Sequence, residues 1–246
     1  MAPFRRPRRS APGSPDVPPR PTASAEIPCA ASGAGSASGT RTRARLLDAA
    51  ERLFAEQNYE ATSLRQVTRA ADANLAAVSY HFGSKEGLFR AVFARRIGPI
   101  NRERIERLQA LERESEVVPL EALLRALMEP ALRLASEPAG RWFTRLVGRA
   151  FSEPGEHWIE ADREFDGTRA AFLRAFAHAL PHLAPAELGW RLYFAIGAQC
   201  VLLSGGDQAR RLMSGMVSAS DPRAALDQLV AFTAAGLRAP AVGGRG

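Results

Sequence analysis

The chain has 246 residues, of which 46% are hydrophobic and 24% are charged, and its formal net charge is +7. A chain of this length and apolar content can bury a sizeable core, and we expect one small and one larger domain after a terminal tail. Its only cysteines, Cys29 and Cys200, exclude a disulfide framework, and no apolar run is long enough for a membrane span, which predicts a cytoplasmic protein without a membrane partner.

Residues 1–39 are rich in Pro, Ala, Ser, Gly and Arg and have no hydrophobic periodicity, which predicts a disordered basic tail. No apolar segment follows the arginines, so the pattern is not that of a secretory signal. Two interpretations remain open. The tail is either a basic arm that adds nonspecific affinity for DNA, or a segment without function that reflects a mis-assigned start.

Residues 40–97 form the next predicted unit, and its first helix runs from Arg43 to Asn58. The apolar residues of this segment recur at three- and four-residue spacing, as on the buried face of a helix. They are Leu46, Leu47, Ala50, Leu53 and Phe54.

Two short helices follow within residues 63–82. The spacing of Leu64, Val67 and Ala71 indicates one helix, and the spacing of Leu75, Val78 and Phe82 repeats the pattern after a break. Ser63 and Gln66 have the spacing of a capping box, which fixes the start of the first of them. The three residues Asp72-Ala73-Asn74 are polar and few enough to force a sharp corner between the two helices. This arrangement is a helix-turn-helix.

The second short helix ends in the run Tyr80-His81-Phe82-Gly83-Ser84-Lys85, and here the chain closely resembles the TetR family of transcriptional regulators. The resemblance covers residues 43–89. It implies an all-α protein with a three-helix, helix-turn-helix DNA-binding domain and an all-helical ligand-binding and dimerisation domain. Asn58 and Asp72 stand where the family usually has glycine, but both residue types accept the positive φ needed there. We expect Asp72 to cap the recognition helix.

The predicted DNA contacts lie on the outer face of this motif. Small side chains let the helix approach base edges, and hydroxyl and imidazole groups can donate to phosphate oxygens. Lys85 is the only lysine in the chain and follows Ser84 at the start of a helix, where charge and backbone donors can meet one phosphate. The predicted contacts are Arg43, Thr62, Ser63, Ala76, Ala77, Ser79, Tyr80, His81 and Lys85.

The distribution of charge agrees with this interpretation. Residues 1–40 carry a net charge of +3, residues 41–96 carry +4, and residues 97–246 carry none. The excess positive charge therefore lies in the part of the chain that is predicted to meet a polyanion.

Residues 98–238 are predicted to be helical throughout, and residues 239–246 to be a flexible tail. We expect Gly98-Pro99 to kink or interrupt the helix that begins at Lys85, because proline lacks a backbone donor. No strand pattern is found. The predicted helices after this point are Asn101 to Ser115, Leu120 to Ser136, Pro138 to Phe151, Trp158 to Leu180, Pro185 to Leu203, Gln208 to Val217 and Pro222 to Leu237.

The stretch from Trp190 to Leu203 is apolar on nearly every side, and a second apolar helix follows between Leu226 and Leu237. Such helices must be buried, either in their own core or against another chain. The resemblance favours the second alternative and implies a homodimer formed through the last two long helices.

The resemblance also implies a pocket for a small-molecule effector in the C-terminal domain. Several aromatic residues and two arginines one turn apart suit an amphipathic acid or acyl compound. The alternative is that the aromatic residues form ordinary core and the arginines are solvated. The candidate residues are Trp142, Arg145, Arg149, Phe172, Phe176, Trp190 and Phe194.

No catalytic set is recognisable, and we expect no enzyme activity, metal site or cofactor. His178 and His182 have the spacing of a zinc pair, but Pro181 separates them and no third ligand has a matching position. The sequence predicts a dimeric repressor that binds a palindromic operator in double-stranded DNA and is released by a ligand. An effector-independent DNA-binding dimer, and a small-molecule-binding protein with a vestigial helix-turn-helix, are the alternatives.

Overall fold

The structure is a computed structural model, and it describes residues 32–152, 155–204, 206–217 and 221–241. Within these residues the regular secondary structure consists of eleven α-helices and two short 3-10 turns, so the all-α prediction is confirmed. None of the helices in this part of the chain is long and apolar enough to cross a membrane. Most of the predicted basic tail, up to residue 31, lies outside the described residues.

Four helices build the N-terminal part: α1 (Ser32–Gln57), α2 (Leu64–Ala70), α3 (Leu75–Phe82) and α4 (Lys85–Glu114). All five predicted stripe residues of α1 are buried. The helix begins at Ser32, well before the position predicted for it and inside the segment predicted to be disordered. No proline lies between Ser32 and Gln57, so helical hydrogen bonding can propagate into the Ala- and Ser-rich residues.

Helix α4 continues through Gly98 and Pro99, so of the two predicted effects, a kink or an interruption, the interruption is wrong. A proline within a helix removes one backbone hydrogen bond, and neighbouring packing can offset that loss. Ile97 and Ile100, on either side of the pair, are both buried in a hydrophobic cluster. The helix therefore extends from the helix-turn-helix into the C-terminal half as one element.

Seven further helices complete the described chain, and three of the predicted segments have other bounds. The helix predicted from Pro138 to Phe151 begins at Arg141, after a 3-10 turn at Pro138–Gly140. The segment predicted as one helix from Trp158 to Leu180 is divided by a 3-10 turn at Arg163–Phe165, where Phe165 turns its ring toward Phe93. The helix predicted at Gln208 to Val217 ends earlier, before two residues with positive φ, Ser214 and Gly215. The helices are α5 (Leu120–Ser136), α6 (Arg141–Ser152), α7 (Glu156–Asp162), α8 (Asp166–Ala179), α9 (Pro185–Ser204), α10 (Gly206–Leu212) and α11 (Pro222–Arg238).

Buried apolar side chains form two clusters. One contains residues of the four helices α1, α2, α3 and α4, together with Phe143 and Leu146 of α6 and Ala161 of α7. The other joins the C-terminal end of α4 to α5, α8, α9 and α11. The helices α6 and α7 therefore pack on the DNA-binding part, and the predicted domain boundary at residues 97–98 falls inside both a helix and a core.

Candidate nucleic-acid interface

The start of the helix-turn-helix is fixed by a capping box, as predicted. The Ser63 side chain accepts a hydrogen bond from the backbone N–H of Gln66 at 3.2 Å, and Gln66 Oε1 accepts one from the backbone N–H of Ser63 at 2.7 Å. Two backbone donors that the helix leaves unpaired are satisfied in this way. The α2 start therefore needs no contact from elsewhere.

The corner between α2 and α3 uses two polar residues for two different tasks. Asp72 adopts a φ of 47°, and Asn58 at the end of α1 a φ of 74°, so both residues take the positive φ predicted for them. The prediction that Asp72 caps the recognition helix is wrong. Asn74 is the cap, since its Oδ1 accepts from the backbone N–H of Ala77 at 2.9 Å. The carboxylate of Asp72 pairs with Arg45 at 3.3 Å.

Helix α3 buries one side chain completely, holds Ala77, His81 and Phe82 half-buried, and exposes the rest. Val78 is fully buried, whereas Tyr80 is 85% exposed and Ala76 and Ser79 are also exposed. The predicted core position of Leu75 is corrected: its side chain is 46% exposed. As the first residue of a short helix, Leu75 lies beyond the reach of the core that holds Val78. The face thus offered to a partner consists of residues with small, apolar and hydroxyl-bearing side chains.

Two predicted DNA contacts face the core: Ala77 is half-buried against it, and Thr62 is buried completely. Its side chain is only 1% exposed, and its Oγ1 donates to the backbone carbonyl of Asn58 at 2.7 Å. The hydroxyl links α1 to the loop before α2 and is not available to a phosphate. Ser63, its neighbour, is exposed.

Arg43 and Lys85 lie at the rim of this face, and both contact aromatic rings. The guanidinium of Arg43 lies 5.3 Å from the centre of the Phe82 ring, and the Lys85 ammonium lies 4.2 Å from that of Tyr59. A crevice of about 440 Å³ runs beside α3, and Arg43, Tyr80, Gly83 and Arg90 are among its lining residues. Arg90 was not predicted. A spacing of five residues from Lys85 does not place Arg90 on the same helix face, so the sequence held no signal for it.

Tyr59, in the loop between α1 and α2, contacts α7 in the C-terminal half. Its ring stacks on that of His157 in α7, with centroids 3.9 Å apart and planes 10° apart. Its hydroxyl donates to Glu86 at 3.0 Å. Burial, followed by this hydrogen bond, raises the pKa of Tyr59 well above its usual range, so the hydroxyl stays protonated. A residue of α7 is thereby connected to the start of α4.

Helices α1 and α4 are joined by buried ion pairs. Glu51 is 2% exposed, and Arg96 donates to it through Nε at 2.8 Å and Nη2 at 3.0 Å. Arg95 also pairs with Glu51 and reaches Asp48 at 2.7 Å. The buried carboxylate is thus shared by two arginines of the next helix.

The residues predicted to line an effector pocket do not come together. Phe172 and Phe176 are buried in the C-terminal core. Arg145 is exposed on α6, with its guanidinium 5.9 Å from the centre of the Trp142 ring, and the side chain of Arg149 lies outside the described part of the chain.

Trp190 and Phe194 lie on the surface of the subunit and line no enclosed pocket with the other candidate residues. Their rings stack on the outer face of α9 at a centroid distance of 5.9 Å, and both side chains are 63% exposed. Tyr193 is exposed beside them, and Phe232 is exposed on α11. The apolar spacing of these residues predicts that they share one helix face, but it does not distinguish a face that lines an internal cavity from a face on the outside of the subunit. Each of the two last long helices therefore exposes aromatic side chains.

One buried arginine in the C-terminal half was not predicted. Arg104 of α4 is 6% exposed and donates to Leu127 O at 2.7 Å and to Asn101 Oδ1 at 3.1 Å. Both acceptors are neutral, and no carboxylate within the described ranges lies at ion-pairing distance. Burial lowers the pKa of Arg104 to about 10, so its guanidinium is still cationic at neutral pH.

Two segments of the chain match known family profiles. Residues 46–92 match the one described as "Bacterial regulatory proteins, tetR family", and residues 125–236 match the one described as "Tetracyclin repressor-like, C-terminal domain".

Among curated proteins, the chain is 34% identical over 101 residues to the uncharacterized HTH-type transcriptional regulator TtgW of Pseudomonas putida, which is 41% of this chain and 74% of that protein. It is 40% identical over 53 residues to the HTH-type transcriptional repressor AcnR of Corynebacterium glutamicum, which is 22% of this chain and 28% of that protein. The chain also spans 43% of the length of the A-factor receptor protein of Streptomyces griseus.

Solved structures resemble the whole described fold at low sequence identity. The fatty acid degradation regulator FadR from Bacillus halodurans superposes with a TM-score of 0.58 at 13% identity, over 81% of this chain and 97% of that one. AibR, solved in complex with isovaleryl coenzyme A and operator DNA, gives a TM-score of 0.57 at 19% identity, over 78% and 97% of the two chains. These similarities concern the fold.

Proposed function

The chain belongs to the TetR family of bacterial transcriptional regulators, and we propose on that basis that it is a dimeric repressor of transcription. The outward face of α3 carries this proposal. A helix that is capped by Asn74, anchored by Val78 and exposed along one face has the form that enters a major groove. Such a protein acts where chromosomal DNA lies, so the proposal includes a cytoplasmic location.

Dimerisation supplies the second recognition helix. The exposed aromatic side chains of α9 and α11 support a four-helix interface between two copies, since an apolar surface of this kind marks an interaction site. A two-fold axis between the subunits makes the operator palindromic, with half-sites about one helical turn, roughly 34 to 36 Å, apart.

An effector in the C-terminal half completes the proposal. Arg104 replaces Arg145 and Arg149 as the residue that meets it, because a buried guanidinium without a carboxylate partner favours an anionic ligand. An amphipathic acid, or an acyl compound that carries a carboxylate or phosphate, has the required charge and an apolar part for the surrounding helices. The contact of α7 with Tyr59 supports a transfer of the bound state to α4. Release of DNA requires that the ligand favour the conformation that does not bind the operator.

Footprinting on the DNA upstream of the protein's own gene, followed by selection from random duplexes, tests the DNA-binding part. We expect a protected palindrome and a loss of at least tenfold in affinity for Tyr80→Ala. The control is Val117→Ala, an exposed apolar residue in the loop before α5, which should bind as the wild type does. If no palindrome is protected or selected, the repressor proposal is wrong.

A further inference from the structure

The recognition helix lacks the side chains that read bases through paired hydrogen bonds. Arg and Lys recognise guanine, and Asn and Gln recognise adenine, each with two hydrogen bonds to one base. The sequence of α3 from Leu75 to Phe82, LAAVSYHF, contains none of these four residue types. Sequence recognition by this helix must therefore use another chemistry.

The two nearest amides are oriented by other hydrogen bonds. Asn74 Oδ1 accepts the capping hydrogen bond from the backbone N–H of Ala77, so the side chain faces its own helix. Gln66 Oε1 accepts from both the backbone N–H and the hydroxyl of Ser63, which uses both of its lone pairs, and its Nε2 donates to Gln57 at 3.2 Å. Local backbone and side-chain groups therefore set the orientation of both amides.

The first turn of α3 instead offers apolar surface. Leu75 is 46% exposed although it has a large aliphatic side chain, and Ala76 beside it is exposed as well. N-terminal residues of a recognition helix are those that meet base edges in the major groove. The only apolar group that a base pair presents there is the 5-methyl group of thymine.

We propose that Leu75, with Ala76 beside it, determines operator specificity by contacting thymine 5-methyl groups. This inference rests on the proposed function, because it assumes that α3 enters the major groove. Ser79, Tyr80 and His81 lie further along the helix, where their hydroxyl and imidazole groups serve phosphates. Base recognition in the first turn is thus apolar, and it depends on one methyl group per contacted thymine.

Deoxyuridine tests the inference, since it pairs as thymine does and lacks only the methyl group. An operator duplex selected from random sequences is synthesised with each thymine replaced singly by deoxyuridine. The affinity of the wild-type protein should fall about fourfold at one or two thymines in each half-site, the value expected for one buried methyl group. Replacement at other thymines should leave affinity unchanged.

Leu75→Ala completes a double-mutant cycle. On the thymine operator this variant should bind more weakly, and on the operator with deoxyuridine at the sensitive positions it should lose little more. Arg43→Ala, which removes an exposed charge at the rim, is the control and should weaken binding to both operators by the same factor.

Two results overturn the inference: equal wild-type affinity for thymine and deoxyuridine at every position, or full additivity of the losses from Leu75→Ala and deoxyuridine. In both cases the protein still binds a palindrome, and the proposed function stands. A protein for which no operator can be selected refutes the proposed function itself.

Discussion

Glu51 is a carboxylate buried between α1 and α4, and both of its partners are arginines of α4. Removing one member of a buried ion pair leaves the charge of its partner without compensation. The resulting loss of stability is larger than the net stabilisation that the intact pair provides. Asp48 binds the same Arg95 from an exposed position, where water screens the charge. The two carboxylates therefore differ in burial and share a partner.

We predict that Glu51→Gln lowers the free energy of unfolding by about 3 kcal/mol, since two cations lose their buried counter-charge. Asp48→Asn should lower it by less than about 1 kcal/mol. Urea denaturation followed by circular dichroism measures both. Equal effects of the two substitutions would show that burial of Glu51 contributes nothing to the stability of the α1–α4 contact.

Single residues also show how far sequence reasoning extends. The capping box and the positive φ at Asn58 and Asp72 could be predicted because they depend on residues close in the chain. The burial of Thr62 and the exposure of Leu75 could not be predicted from the sequence. Both depend on how the helices pack, which decides that the Thr62 hydroxyl donates to a backbone carbonyl and that the core does not cover Leu75.

At the scale of elements, α4 serves both halves of the molecule. Its first turns belong to the core shared with α1 to α3, and Leu108 near its end belongs to the C-terminal core. Arg104 lies between these two regions and donates to the backbone of α5. A ligand that binds Arg104 would therefore act directly on the helix that begins beside the recognition helix.

We predict that an amphipathic carboxylic acid or acyl thioester raises the Tm of the wild-type protein and weakens its binding to the operator. Arg104→Gln should lose both responses, because the anionic group then has no cation to meet, and Arg104→Lys should retain them in part. Thermal shift over a panel of fatty acids and acyl thioesters measures the first response, and operator titration the second.

Arg145→Gln, which changes an exposed arginine of α6, is the matched control and should respond as the wild type does. A compound that stabilises the wild type and Arg104→Gln equally would show that the effector does not meet Arg104. If no compound in the panel affects DNA binding, the effector-independent dimer becomes the better interpretation.

The helices themselves were largely predictable, since apolar periodicity is a local property. Their interruptions were less so. Pro99 stays inside α4 because Ile97 and Ile100 are buried around it, and the turn at Arg163–Phe165 forms where Phe165 packs on Phe93. The predicted pocket joins seven residues on three helices by composition, and only packing decides which of them meet.

For the whole molecule, the decisive question is how two copies associate. Phe194 of α9 is 63% exposed and Phe232 of α11 is 72% exposed, on helices that pack against each other. Rings of this size would be buried in a four-helix interface, and they would be unfavourably hydrated in a monomer.

We predict that Phe194→Glu with Phe232→Glu gives a monomer, because four carboxylates would be desolvated in the dimer interface. Sedimentation equilibrium measures the mass, and operator affinity should fall by two orders of magnitude or more as the second recognition helix is lost. Ile159→Glu, an equally exposed site on α7, should remain dimeric and is the control. A dimeric double variant would place the interface elsewhere.

The uninterrupted course of α4 has a mechanical consequence. Its 30 residues give a helix of about 45 Å along its axis, at 1.5 Å per residue. When such a helix pivots at one end by 5°, its other end moves by about 4 Å, as its length dictates. Opposite displacements in two subunits would add to about 8 Å, a large part of the roughly 12 Å width of a major groove. A few degrees of tilt at the effector end are thus enough to take both recognition helices out of register with their half-sites, while each helix-turn-helix keeps its internal structure.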